Sequence, residues 1–370
     1  MAKERIKKII KNLDSAKTDV DVIVLRNSTE PNIDPNFFYV TGCAYGLFEG
    51  SLCLVWNDGS AEILTTKLEE ETAKHSKLPV STFRTRDERT KMLKKKLAGV
   101  KRIGINFENI THQAYLDTVK CTKKAKVVDV SEALKKARMI KDSTEIERIA
   151  KACAIASKVA EEIPEIITNL GMKESEAVAE INYLMSRYGA SSPSFETIAA
   201  FGSNAAEPHY TACTASLKKG DFMLFDFGAR YMRYCSDITR TFVAGKATKE
   251  QKKMHEVVLE AQAEAIDFIS AGKSGTECHA VAEQVINKSR YKGRFTHGLG
   301  HGLGLTVHDP GGMSPTQDIV LEENMVLTVE PGIYIPRIGG VRIEDDILVT
   351  KNGCRLLTDA ERELREIRVK

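Results

Sequence analysis

The chain has 370 residues, 42% of them hydrophobic and 28% charged, with a net charge of +3. That composition is globular, and the length suits two domains rather than one core. The near-neutral balance gives no case for nucleic-acid binding, and no apolar run is long enough to span a membrane.

The first segment, MAKERIKKIIKNLDS, places Ile6, Ile9, Ile10 and Leu13 at helical spacing. It lacks the apolar core and small-residue cleavage site of a secretory signal. Strand-like runs follow at 21–26, 51–56, 61–66 and 101–107, with amphipathic helical stretches at about 3–13, 88–98 and 111–120. This alternation predicts a small α/β domain over 1–138. The first 140 residues carry about +8 and the rest about −5, much of the excess lying in KMLKKKL (91–97) and KCTKKAK (120–126). Without interleaved aromatics, these runs read as solvated helix faces and a loop.

A boundary falls near 138–142. Asp142 and Ser143 are candidate helix caps, and Thr144 with Glu147 fits a capping box. Helical patterns recur at 173–188 and 248–271. Strand-rich blocks with turn signals lie at 222–243, 303–308, 326–335 and 341–350. The second domain, 139–370, is therefore expected to be α+β. The eight cysteines form no C-x-x-C pair, which points to reduced thiols and a cytoplasmic setting.

Two blocks carry acids in paired positions. In DFMLFDFGARYMRYCSDITRTFV (221–243), a fold-back between Tyr231 and Met232 would set Asp226 opposite Asp237. In VLTVEPGIYIPRIGGVRIEDDILVT (326–350), a turn about Arg337 would set Glu330 opposite Glu344. Acids buried among apolar strands are costly without cationic compensation, and a divalent metal is the strongest available. Between the hairpins lies THGLGHGLGLTVHDP (296–310), with His297, His301 and His308. Asp226, Asp237, His301, Glu330 and Glu344 make an oxygen-rich set able to hold two divalent ions. Mn²⁺ is the expected ion, with Co²⁺, Zn²⁺ or Fe²⁺ as alternatives. Asp345 and Asp346 read as structural acids, and Cys235 as a small buried side chain. His75, His112, His255 and His279 carry no motif context and receive no role.

These segments resemble the pita-bread dinuclear metallopeptidases. The matching motifs are DFGARYMRYCSDITRTF (226–242), GHGLG (300–304), HD (308–309), VEPGIYI (329–335) and GVRIED (340–345), in the family's order. IAAFGSNAAEPHY (198–210) and NFFYVTG (36–42) add to them. The latter is similar to the creatinase-type N-terminal domain of aminopeptidase P and prolidase, which methionine aminopeptidases lack. The resemblance implies that Asp226 binds one metal, that His301 and Glu330 bind the other, and that Asp237 and Glu344 bridge the two. It further implies that Glu330 acts as general base for a metal-activated water and that His308 stabilises the oxyanion. His209 would lie near the scissile bond, His297 would line the pocket, and Arg342 would support the site or grip a substrate carboxylate. The implied substrate is a peptide with proline in second position, and the implied assembly is a homodimer. Family prolidases often carry Glu and a downstream Arg after the substrate histidine. This chain instead has HDPGGM (308–313), which favours Xaa-Pro aminopeptidase over the alternative, Xaa-Pro dipeptidase. A metal-free creatinase-like or non-catalytic protein on the same fold is the remote alternative, since all five ligands are present.

Overall fold

The structure, a computed structural model, describes residues 1–122 and 124–370. Lys123, inside the second basic run, lies outside the described residues. The chain divides into two compact units, Met1–Arg138 and Met139–Lys370.

The first unit is built on a six-stranded sheet. Its strands are β1 (Val22–Arg26), β2 (Leu52–Trp56), β3 (Ala61–Thr66), β4 (Val80–Phe83), β5 (Arg102–Ile105) and β6 (Lys126–Asp129), in the spatial order β4-β3-β2-β1-β5-β6. The β1–β2 and β2–β3 pairs are antiparallel; β1–β5, β3–β4 and β5–β6 are parallel. Val22, Val24, Leu52, Leu54 and Leu64 project from one face onto Leu93 and Leu97. The helices are α1 (Ala2–Ser15), α2 (Pro35–Thr41), α3 (Glu70–Lys74), α4 (Arg86–Lys96), α5 (His112–Val119) and α6 (Ser131–Met139). In α4, Lys94 and Lys95 are exposed and Lys96 pairs with Glu62. NFFYVTG (36–42) lies on α2, capped by Asp34 and ended by Gly42 in the left-handed region.

The second unit opens with α7 (Ser143–Ile166) and α8 (Glu174–Arg187). The cap of α7 is Asp142, which accepts the Glu145 N–H at 2.9 Å while Glu145 accepts the Asp142 N–H at 3.0 Å. The expected Thr144–Glu147 box is therefore displaced by two residues, because Asp142 already supplies the stronger N-cap acceptor. The strands that follow are β7 (Ser192–Pro193), β8 (Ile198–Phe201), β9 (Phe222–Phe227), β10 (Ala229–Tyr231), β11 (Tyr234–Cys235) and β12 (Ile238–Ala244). In β9, Phe222 and Leu224 face one apolar cluster while Met223, Phe225 and Phe227 face another. Both faces are covered, which explains the uninterrupted apolar run 222–225 ahead of Asp226.

Helices α9 (Lys249–Phe268) and α10 (Gly275–Lys288) line the first of those clusters. The sequence reading missed α10, whose start is set by a capping box between Ser274 and Glu277. The remaining strands are β13 (Gly300–Gly302), β14 (Asp309–Met313), β15 (Val326–Val329), β16 (Gly332–Ile335), β17 (Gly339–Arg342), β18 (Asp345–Thr350), β19 (Gly353–Leu356) and β20 (Glu366–Ile367). Residues 303–308, expected as a strand, form bends between β13 and β14. Leu303, Leu305 and Val307 alternate like a strand, but the Gly304 N–H turns back onto the Thr306 carbonyl. No described helix is long and apolar enough to cross a membrane.

Candidate metal centre

Asp226 and Asp237 come from the long hairpin of β9 to β12. Asp226 pairs with Thr239 and Tyr231 with Tyr234, so the fold-back is centred between Met232 and Arg233. Both turn residues have positive φ, 46° and 74°, as a two-residue primed turn requires. The expected centre was one residue too early. The two acids are consequently diagonal rather than directly opposed, still on one face because strand side chains alternate with period two.

Glu330 and Glu344 come from the second hairpin. Val329 pairs with Asp345 and Gly332 with Arg342, so one register runs through both sheets and sets Glu330 opposite Glu344. Arg337, at the turn, has φ 71°. On β15 and β18, Leu327, Val329, Ile347 and Val349 enter the apolar cluster. Thr328, Glu330 and Glu344 have the opposite parity and therefore face the acids of the first hairpin.

His301 sits on β13 with its main-chain N–H donated to Thr328 Oγ1 at 3.0 Å. A Cβ at the preceding Gly300 would run into the Thr328 carbonyl, so only glycine lets this strand come so close. The His301 Nδ1–H donates to the Gly302 carbonyl at 3.1 Å. That fixes the tautomer and leaves Nε2 as the acceptor. Nε2 lies 3.6 Å from Asp237 Oδ2 and 3.5 Å from Glu330 Oε1. The ligand atoms of Asp237, His301 and Glu344 all lie within 4.8 Å of one another. Asp226 and Glu330 line the same cleft, of about 290 Å³, together with Phe195, Ile198, His209, His297, Val307 and His308.

The electrostatics make this cluster unstable as bare carboxylates. Burial, then Glu344 and Asp226, raise the Asp237 carboxyl well above its ordinary range. Burial, then Glu330 and Asp226, do the same for Glu344. Burial pushes Glu330 up to about 7. His301 is driven down by burial and so is a neutral donor atom. Asp226 Oδ1 and Asp237 Oδ1 are buried with no hydrogen-bond partner in the described structure. Two divalent cations would bring four positive charges to four carboxylates and give both orphaned oxygens a partner. Carboxylate oxygens with one imidazole are donors for hard or borderline ions. On these grounds the residues fit a dinuclear metal site.

Arg342 is 3% exposed, and all its nitrogens are engaged. Nη2 donates to Asp226 Oδ2 at 2.5 Å, Nε to Thr239 Oγ1 at 3.0 Å, and Nη1 to Tyr334 Oη at 2.9 Å and the Pro208 carbonyl at 3.4 Å. Four of its five N–H groups are thus held within the protein, an arrangement suited to supporting the site. The direction of the chain then follows, because arginine only donates. The Tyr334 hydroxyl donates to His297 Nε2 at 2.8 Å, and His297 Nδ1–H to the Gly298 carbonyl at 2.8 Å. Burial, with Arg342 nearby, pushes His297 down to about 3, so it is neutral. His209 and His308 are the exposed histidines of the cleft. The His308 ring packs edge-on to His301, centroids 4.3 Å apart.

Three further site residues escaped the sequence reading. The Thr239 hydroxyl donates to Glu344 Oε2 at 2.6 Å, the Thr328 hydroxyl to Glu330 Oε1 at 3.1 Å, and Tyr334 joins Arg342 to His297. Thr239 follows Asp237 by two and Thr328 precedes Glu330 by two. The period of a strand was the signal that could have found both.

Residues 147–351 match metallopeptidase family M24, and residues 5–140 match the creatinase/prolidase N-terminal domain. The chain is 40% identical over 365 residues to an Xaa-Pro dipeptidase of Pyrococcus horikoshii, covering 98% of both chains. It is similar to the structure of an Xaa-Pro dipeptidase from Bacillus anthracis (TM-score 0.90, 33% identity, 99% of both chains). It is also similar to an X-Pro aminopeptidase from Thermotoga maritima (TM-score 0.88, 32% identity), covering 94% of this chain and 98% of that one.

Proposed function

The chain belongs to metallopeptidase family M24 and carries the creatinase/prolidase N-terminal domain, and from that premise we propose that it is an Xaa-Pro dipeptidase. The observation that carries this reading is the match to the archaeal dipeptidase along 98% of both chains. It reverses the sequence-based preference for Xaa-Pro aminopeptidase, which rested on Asp309–Met313. Asp309 forms a buried ion pair with Lys141 at 3.2 Å and accepts the Thr306 hydroxyl at 2.8 Å. It is therefore a structural residue, and its departure from the family pattern says little about the substrate.

Asp226, Asp237, His301, Glu330 and Glu344 would hold two divalent ions, Mn²⁺ being the expected ion for so oxygen-rich a set. When bound, the ions supply Lewis acidity and an acidified water. Glu330 has one oxygen held by Thr328 and leaves Oε2 to take a proton and deliver it to the leaving nitrogen. That delivery matters because the proline imide nitrogen carries no hydrogen of its own. Burial lowers His308, so it is a neutral donor suited to the developing oxyanion. His209 would sit beside the scissile bond, and His297 would line the pocket as part of the Arg342–Tyr334 chain. Phe195, Ile198 and Val307 offer an apolar wall for the pyrrolidine ring. We further propose a cytoplasmic homodimer; the eight free cysteines support a reducing compartment.

The deciding experiment compares Mn²⁺-loaded enzyme on an Xaa-Pro dipeptide and an Xaa-Pro-Xaa tripeptide. Turnover of the dipeptide alone is expected. Comparable kcat/KM on the tripeptide would make it an aminopeptidase, and turnover of neither would defeat proline specificity.

A further inference from the structure

Asp345 and Asp346 stand side by side on β18, both fully buried, but their surroundings differ. Asp345 accepts from Arg240 Nη2 at 2.8 Å, Arg362 Nε at 2.7 Å, Thr358 Oγ1 at 2.7 Å and Gln262 Nε2 at 2.9 Å. It is a satisfied structural acid. Asp346 has one oxygen, Oδ1, with no partner in the described structure. Its Oδ2 takes two bonds: the main-chain N–H of Asp237 at 2.9 Å and the Cys153 thiol of α7 at 3.2 Å.

The Asp237 N–H matters because the strand ladder does not hold it. Asp237 lies in the break between β11 and β12. The residue across from it is Gly228, where a Cβ would run into the Ser236 carbonyl, so the strands are pinched together without a side chain between them. The Ser194 hydroxyl holds the carbonyl of the Ser236–Asp237 peptide at 2.7 Å, and the Asp346 carboxyl holds its N–H, the end that carries the Asp237 side chain. Cys153 in turn fixes Asp346. Burial, then Asp346, hold the thiol well above its ordinary range, so it remains a donor.

The geometry points to Asp346 and Cys153 as a positioning pair that orients Asp237 for metal binding. Neither touches the cleft. Neutral, apolar side chains would fill this space at lower cost than a buried carboxyl, unless the acceptor has a task. Outer residues that hold a ligand in place set metal affinity by about 10- to 100-fold. The inference rests on the dinuclear reading of the site.

The test is calorimetric Mn²⁺ titration of the metal-stripped full chain, with the melting temperature of each stripped variant measured in parallel. Asp346→Leu should bind Mn²⁺ about 10- to 100-fold more weakly. Asp346→Asn keeps an acceptor for the Asp237 N–H and should bind within about threefold of wild type. Cys153→Ala should weaken binding by about three- to tenfold, and Cys153→Ser, which keeps a donor, should restore it. Wild-type affinity in Asp346→Leu with a lowered melting temperature would reduce the pair to core packing and overturn the inference. Equal losses in Asp346→Asn and Asp346→Leu would overturn it as well, because charge rather than the hydrogen bond would then be responsible. If Asp346→Leu does not fold, wild-type affinity in Cys153→Ala overturns it alone. Failure of the wild-type chain to bind Mn²⁺ would sink the metal reading itself, which separates the two failures.

Discussion

Replacing Glu330 by Gln in the metal-stripped protein isolates the burden of burying acids without cations. Burial raises the folded-state carboxyl from 4.5 to about 7. Between those pH values the folded protein binds more protons than the unfolded chain, so stability falls as pH rises. The contribution is fully present below 4.5 and is lost once pH passes 7. Each tenfold change in proton affinity is worth about 1.4 kcal/mol. The ionised Glu330 therefore destabilises the stripped fold at pH 8 by about 3 kcal/mol. Glutamine carries no charge and still accepts the Thr328 hydroxyl. His297, lowered to about 3, gives the opposite slope between 3 and 6.5, but both proteins share it and it cancels in their difference. For a unit of this size, 3 kcal/mol corresponds to about 6–12 °C in melting temperature. Melts of stripped wild type and Glu330→Gln should coincide at pH 4.5 and separate by that amount at pH 8, the variant melting higher. Saturating Mn²⁺ should reverse the order, because the wild type gains a ligand oxygen that the amide does not match. Equal melting at all pH values, or a more stable stripped wild type at pH 8, would refute the reasoning.

Arg342→Lys cannot serve Asp226, Thr239 and Tyr334 together, because an ammonium lacks the planar fork; kcat/KM on an Xaa-Pro dipeptide should fall about 100-fold in steady-state kinetics. Gly300→Ala drives a methyl against the Thr328 carbonyl, so chemical denaturation should show a loss of about 1–3 kcal/mol and titration a weaker Mn²⁺ site. Lys141→Met removes the ammonium from the buried Asp309 carboxylate, and denaturation should register about 3–5 kcal/mol of lost stability. His308→Ala should lower kcat about 100- to 1,000-fold with KM little changed; an unchanged kcat would exclude it from the chemistry.

Much of the architecture was legible in local pattern. The strand runs at 21–26, 51–56, 61–66 and 101–107 contain β1, β2, β3 and β5. The turn chemistry about Arg337 fixed the register that opposes Glu330 and Glu344, since register follows turn geometry once the turn is known. The paired acids and the G-H-G-L-G motif identified the cleft because buried acids are rare and need compensation. What tertiary structure decided were the matters in which several turns were equally good locally or in which partners come from distant segments. The Met232–Arg233 turn won over the neighbouring position, moving Asp226 from opposite Asp237 to opposite Thr239. The partners of Arg342 could not be read along the chain, because Asp226, Thr239, Pro208 and Tyr334 converge on it from four separate segments. Asp346 could not be told from Asp345 in the sequence, since the two share a strand and a chemistry. They are separated by which buried donors the fold brings to each, and that is set by long-range packing, not by spacing along the chain.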